Sequence, residues 1–239
     1  MRSLAAESLG ELACLASLFP VSPVRFSAAD VRNWPAYRGE VCPSCGAFTG
    51  EGPPRGARFV CSSCDPHPPF DCARSLFVYE GSVREGIRAA KYARHAVPAG
   101  ALAERLLEAI RGGWVDRFPS GFRPAVVPVP IRPAKFFRRG FNLPALVGQA
   151  LARLAGWPFA PSALRRTAEG RPQAGQYLAD REENVRDVFH AAPGRRLQPE
   201  ILLVDDVYTS GATARACSRA LKTAGGRHIV VLTVARTVL

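Results

Sequence analysis

Apolar positions recur at helical spacing in some stretches, run continuously in others and are absent from a third set, and these regimes divide the chain. Residues 4–19 place Leu4, Leu12, Leu15 and Phe19 at roughly helical intervals, with Glu7 and Glu11 elsewhere. That pattern predicts a short amphipathic helix, stopped by Pro20 and Pro23. Residues 20–40 are mixed, contain Pro35 and Gly39, and read as a linker. Residues 42–64 are rich in Gly and Pro and poor in aliphatic side chains, so they cannot build an apolar core and need a staple. After Pro69 the pattern becomes that of a packed domain, with a strand at 75–79, helices at 83–94 and 99–110 separated by Pro98, a strand at 125–129 and a helix at 143–154. Residues 165–186 are charged and small without a period, which predicts a long functional or mobile loop. The apolar run 201–204 then leads into an acidic pair, a Gly-containing turn, a helix at 213–224, Gly225-Gly226 and a last strand at 228–235. Strand, helix and strand in this order predict an α/β fold with a parallel sheet flanked by helices. The expected organisation is an N-terminal helix and linker over 1–40, a small module over 41–70 and the main domain over 71–239.

With 239 residues, 47% hydrophobic and 22% charged, the chain has the composition of a globular protein and excludes bulk disorder or a collagen-like repeat. No apolar run reaches the roughly 18 residues of a spanning helix; the segment from Ile229 is interrupted by Arg236. Glu7 and Glu11 fall where a secretory leader must be uncharged, so a cytoplasmic location without a membrane span is expected. The 32 Lys and Arg against 20 Asp and Glu give a net charge of +12, which favours phosphates or nucleic acid as partners. Only Lys91, Lys135 and Lys222 are lysines. GC-rich coding accounts for such a preference for Arg over Lys, but not for the excess of positive charge.

Seven cysteines, an odd number in a chain without an export signal, argue for metal ligation or buried thiols over a disulfide framework. Cys42-Pro-Ser-Cys45 and Cys61-Ser-Ser-Cys64 form two Cys-x-x-Cys units with fifteen residues between them. Four thiolates complete a tetrahedral zinc ion and leave no open position for water, so this Zn2+ is structural. His67 and Cys72 lie near enough to substitute as ligands, although a surface histidine and a buried thiol are the ordinary readings, and a redox pair, the competing reading of each unit, is disfavoured by two units at ribbon spacing. Cys14 and Cys217 fall on helical patterns and read as core residues.

The segment from Ile201 through Asp205-Asp206-Val-Tyr-Thr209-Ser210-Gly211-Ala212-Thr213 is the most informative in the chain. A buried parallel strand delivers two carboxylates at its carboxyl end, where open α/β sheets bind ligands. The turn that follows offers backbone N–H groups, a helix N-terminus and the hydroxyls of Thr209, Ser210 and Thr213 to an anion. The pair suits a phosphorylated sugar, with sugar hydroxyls on the carboxylates and phosphate on the turn. It is not a Walker loop, since no Gly-Lys-Ser/Thr follows. The plain alternative is a core strand followed by a helix with acidic residues near its start.

This string resembles the phosphoribosyl pyrophosphate (PRPP) signature of type I phosphoribosyltransferases, and the chain from about Cys42 to Arg236 resembles the ComF family of competence-associated proteins. Tyr79-Glu-Gly81, Ile87 to Lys91-Tyr92, Val127-Pro-Val-Pro130, Arg138-Arg-Gly-Phe-Asn142, Gln173 and Arg181 with Asn184 carry the likeness further. Leu143 replaces the Gln that usually continues the Arg-Gly-Phe-Asn run, and residues 20–40 look like an insertion. The resemblance implies a type I phosphoribosyltransferase-like sheet with an N-terminal zinc ribbon. It assigns Asp205 and Asp206 to the ribose hydroxyls and Thr209, Ser210, Gly211, Ala212 and Thr213 to the 5'-phosphate. It makes residues 127–132 the pyrophosphate loop, with Mg2+ bridging substrate oxygens, and Arg132, Lys135, Arg138 and Arg139 a basic cluster beside it. Residues 168–184, with Gln173 and Arg181, become a mobile loop that closes over the reacting carbon and excludes water. Lys91 is a weaker site candidate, because a lysine on a helix is ordinarily an exposed charge.

Three functions follow as expectations. One is transfer of 5-phosphoribosyl from PRPP to an unidentified acceptor. Another is PRPP binding in support of DNA uptake, with single-stranded DNA and DNA-uptake proteins as partners. Phe136, Phe137 and Phe141, interleaved with Arg138 and Arg139, would then stack bases, although aromatic core contacts are the ordinary expectation for them. The last, a purine-responsive regulator, lacks a helix-turn-helix signature.

Overall fold

Four parallel strands supply the frame: β3 (Cys72–Val78), β4 (Ala125–Pro128), β7 (Glu200–Tyr208) and β8 (His228–Arg236) pair in the order β3-β8-β7-β4. This computed structural model describes residues 26–50, 61, 64, 65, 67–92, 98–115, 123–167, 188–194 and 197–238. The helix expected at 4–19, Cys14, and the loop at 168–184 with Gln173, Arg181 and Asn184 lie outside the described residues.

The continuous apolar run of β7 is explained by burial on both of its faces. Leu202 and Val204 face one core with Val230 and Leu232. That side is covered by Val83, Ile87 and Ala90 of α2 (Gly81–Tyr92), Leu102 and Leu106 of α3 (Ala99–Arg111), and Val147 and Leu151 of α5 (Leu143–Ala155). Ile201 and Leu203 face the other core, where α6 (Ala212–Thr223) contributes Ala214, Cys217 and Leu221. Each such aliphatic side chain, fully buried, contributes roughly 1.5–3 kcal/mol. The chain is therefore an α/β protein with a parallel sheet between helices, and Cys217 sits in its core as its helical spacing implies.

Two stretches depart from the sequence expectation. Residues read as linker instead hold α1 (Ala28–Asn33), started by a capping box in which Ser27 Oγ accepts from Asp30 N–H and the Asp30 carboxylate accepts from Ser27 N–H. Behind it Trp34 is buried edge-on against Phe77 at 5.5 Å, and Arg105 donates to the Arg32 and Trp34 carbonyls. A single Trp and Val31 suffice to dock so short a segment, too few positions to show a period. The start of the expected polar loop forms β5 (Leu164–Arg166), antiparallel to β6 (Phe189–Ala191) and packed beside α6.

The cysteine region adds β1 (Glu40–Val41) and β2 (Phe48–Gly50), an antiparallel pair that frames the first Cys-x-x-Cys unit. It packs directly on the sheet: Ala73 N–H of β3 donates to the Ser44 carbonyl at 2.8 Å, and the buried Arg74 donates to the Pro43 carbonyl at 3.1 Å. Gly46 adopts φ +69°, and any side chain there would collide with the Ala73 carbonyl. Glycine is what allows the cysteine turn to lie against β3.

Candidate functional site

Cys42, Cys45, Cys61 and Cys64 converge, with their sulfurs all within 4.8 Å of one another. Cys42 to Cys64 and Cys45 to Cys61 are each 3.4 Å apart. Tetrahedral Zn–S bonds of about 2.3 Å require sulfurs about 3.8 Å apart, so the donor set fits zinc. The turns that present them are closed by Gly46 N–H to the Cys42 carbonyl and Cys64 N–H to the Cys61 carbonyl. As thiols the four share protons: Cys42, accepting from Cys45, is held far below the ordinary thiol value at about 3. Cys45 is pushed far up by donating to it, and Cys64 is pushed up to about 11 by burial. Neither His67 nor Cys72 joins this group, and among the described residues no other cluster gathers three metal-ligating side chains.

The carboxyl ends of β4, β7 and β8 meet at one edge, where Val129, Asp205, Val207, Thr209, Gly211, Thr213 and Thr233 line a recess. Consecutive residues of a strand point to opposite faces. The two carboxylates therefore part. Asp205 faces the side of α6, where burial first and the charge of Asp206 second push it up to about 7, against the pull of Lys91 and Arg166. It also accepts from the Asp206 N–H at 2.8 Å. Asp206 is paired on the α2 side with Lys91 Nζ at 2.7 Å. The helix-borne lysine is thus drawn into the site.

Gly211 adopts φ +77° at the start of α6, and a Cβ there would fall on the Tyr208 hydroxyl. No side chain caps this helix, so its first turn leaves donors for an anion, while Ala212 N–H leans on Ser210 Oγ at 3.4 Å. Thr209 and Ser210 are exposed.

A basic cluster follows β4. Arg132, Lys135, Arg138 and Arg139 lie on or next to α4 (Pro133–Arg139), a short helix opened by Pro133 and presenting no buried residue. The Lys135 ammonium is held below its ordinary value by partial desolvation and then by the positive charges of Arg132, Arg139, Arg166 and Lys91. Arg166 of β5 is likewise lowered by burial and by Arg132, while Asp205 opposes the shift. Sequence reading missed Arg166, which lay at the start of the aperiodic stretch and carried no motif. It also gave no role to Asn142, whose Nδ2 donates to the Val129 carbonyl at 3.0 Å and fixes the loop after β4. Phe136 and Phe137 are 47% and 83% exposed, against the expectation of core contacts, because α4 has no layer to pack on. Phe141, two residues past the helix, does pack against the core.

A parallel α/β sheet with an acid pair and an uncapped helix at its carboxyl edge, joined to a four-cysteine cluster of zinc-ribbon type, is the class these features define. The chain is 32% identical over 114 residues to competence protein F of Haemophilus influenzae, covering 47% of this chain and half of that protein. It is 26% identical over 204 residues to the DNA utilization protein YhgH of Salmonella typhimurium, covering 84% of this chain and 86% of that one, and similarly related to the Escherichia coli K12 protein of the same name over 203 residues. These similarities support the resemblance to the ComF family. No family model matches the chain. Among the described residues no helix is long and apolar enough to cross a membrane.

Proposed function

We propose that this chain is a PRPP-binding, phosphoribosyltransferase-like protein that supports DNA uptake. The observation that carries the reading is the gathering of Arg132, Arg139, Arg166 and Lys91 near Lys135, close enough to add to the lowering of its proton affinity, with Lys91 and Arg166 also acting on Asp205. Like charges gather at this cost where a polyanion binds between them. In this reading the 5'-phosphate takes the N–H groups and hydroxyls of residues 209–213, the ribose hydroxyls donate to Asp205 and, once its carboxylate turns from Lys91, to Asp206, and the pyrophosphate lies against Arg132 and Lys135. Mg2+ bound with PRPP would neutralise the polyphosphate, carried by substrate oxygens and water. Asn142 holds the Val129 carbonyl and so fixes the loop read here as the pyrophosphate loop. The same groups would stabilise departing pyrophosphate in a transfer of phosphoribosyl to an acceptor, which is the alternative activity.

The DNA role draws support from the names of the relatives, competence protein and DNA utilization protein. A specific surface favours single-stranded DNA as the partner: exposed Phe136 and Phe137 lie between Lys135 and Arg138 on a helix that buries nothing.

Calorimetric titration of zinc-loaded protein with Mg2+ and PRPP tests the site. Binding should be lost in Asp205→Asn/Asp206→Asn with folding intact, and unchanged affinity would reject the assignment. Pyrophosphate release on adding acceptors separates transfer from binding alone. Affinity for single strands should fall steeply with salt, and a flat response would reject the DNA reading.

A further inference from the structure

At the end of β8, against Cys45 of the cluster, lies a guanidinium without a carboxylate. Arg236 is 3% exposed, and among the described residues no acidic side chain pairs with it. It donates instead to the Cys45 carbonyl and, at 3.8 Å, to Cys45 Sγ. A cation withdrawn from water needs a compensating negative charge, and losing it costs several kcal/mol. Four thiolates around one divalent zinc carry a net double negative charge, delocalised over the sulfurs. The buried arginine and the metal-loaded cluster therefore answer each other electrostatically.

The other side of the same guanidinium reaches the sugar-phosphate edge. Its central carbon stands 4.4 Å from the centroid of the Tyr208 ring, the last residue of β7. The Tyr208 hydroxyl lies where a side chain on Gly211 would have to go, so the tyrosine braces the turn that starts α6. Arg215 Nη1, from the first turn of α6, donates to the Ser210 carbonyl at 3.1 Å and holds that turn from the helix side. Ser44 and Cys45 of the cysteine turn share one crevice with Tyr208, Thr209 and Ser210. Contacts run unbroken from Cys45 through Arg236 and Tyr208 to Gly211.

We propose that Arg236 is the counter-charge of the zinc–cysteine cluster and the strut that couples it to the turn at 209–213, so that metal and phosphoribosyl ligand bind with positive cooperativity. The charge-balancing half stands on the contacts of Arg236 alone; the coupling half rests on the reading of the turn as the phosphate site. Zinc held at the cysteines fixes Arg236 against Cys45, Arg236 fixes the Tyr208 ring, and the ring fixes the turn. By linkage, ligand on the turn must hold zinc more tightly by the same factor.

The test follows zinc release from the full, zinc-loaded chain into excess chelator with a colorimetric indicator, and uses circular dichroism to confirm folding. Arg236→Gln should release zinc about tenfold faster than wild type, the usual consequence of losing a group that supports metal ligands. Arg236→Lys, which keeps the charge, should stay within about threefold. Release from folded Arg236→Gln at the wild-type rate overturns the counter-charge. If the Gln variant does not fold, the Lys variant decides, and a tenfold loss there overturns it. Saturating Mg2+ and PRPP should slow release from wild type but not from Tyr208→Leu, which should otherwise hold zinc normally. If calorimetry shows PRPP bound yet release unchanged, the coupling is wrong. If PRPP does not bind at all, the phosphate reading and the coupling fall together, while the Arg236 variants still decide the first half.

Discussion

Lys91 Nζ lies 2.7 Å from Asp206 Oδ1, tying the last turn of α2 to the carboxyl end of β7 across 115 residues of sequence. Both side chains are mostly withdrawn from water, so neither is a screened surface charge. Removing one partner leaves the other charged and poorly solvated. Lys91→Met should therefore lower stability by about 1–3 kcal/mol. Lys91→Met/Asp206→Asn should recover much of that loss in urea unfolding, and purely additive single effects would show that the pair is not coupled.

Asp205 supplies a pH dependence of definite sign. Burial and the neighbouring Asp206 raise its carboxyl from 3.8 to about 7. Between those values the folded protein keeps a proton that the unfolded chain has lost, so stability falls as pH rises through the window and levels off above it. Asp205→Asn should gain on the order of 2 kcal/mol over wild type at about pH 8, with the gain vanishing below about pH 4. Thermal unfolding of both proteins across this range checks it. If the carboxylate accepts ribose hydroxyls, PRPP affinity should also weaken as pH drops below about 7, and a pH-independent gain or affinity would contradict the raised carboxyl.

The convergence of four sulfurs predicts one zinc per chain by native mass spectrometry. Cys61→Ser should lose it, whereas Cys72→Ala and Cys217→Ala should retain it, because those two thiols lie in the core away from the cluster. Zinc displaces the protons the thiols share, so its affinity should fall as the solution is acidified. Stripping the metal should also lower the melting temperature, since β1 and β2 enclose too little apolar surface to hold the cysteine turns alone.

Phe137 offers the cleanest separation of binding from stability. Its ring is 83% exposed on a helix with no buried side chain. Phe137→Ala should change folding stability by less than about 0.5 kcal/mol. Loss of a stacking platform should nonetheless weaken single-stranded DNA by about 1–3 kcal/mol, readable by fluorescence anisotropy at fixed salt. Equal affinity of variant and wild type would remove α4 from the nucleic-acid face.

Local pattern by itself determined the sheet and the carboxyl edge at which β7 ends. The run Ile201–Val204 is apolar at every position because both faces of β7 are covered, and the acids and small residues after it mark where that cover ends. The two Cys-x-x-Cys units were equally legible, since a zinc site is written in spacing and not in hydrophobic period. Tertiary structure alone decided the rest, because charge pairing and burial depend on what arrives from distant elements. The sequence could not show that Asp206 would take Lys91 as its ion-pair partner, or that Asp205 would be buried beside Arg166. Nor could it place Trp34 in the core, Phe137 in solvent, or Arg236 against a cysteine 191 residues away. Each of these positions obeys no local period, and its environment exists only after the sheet has closed around it.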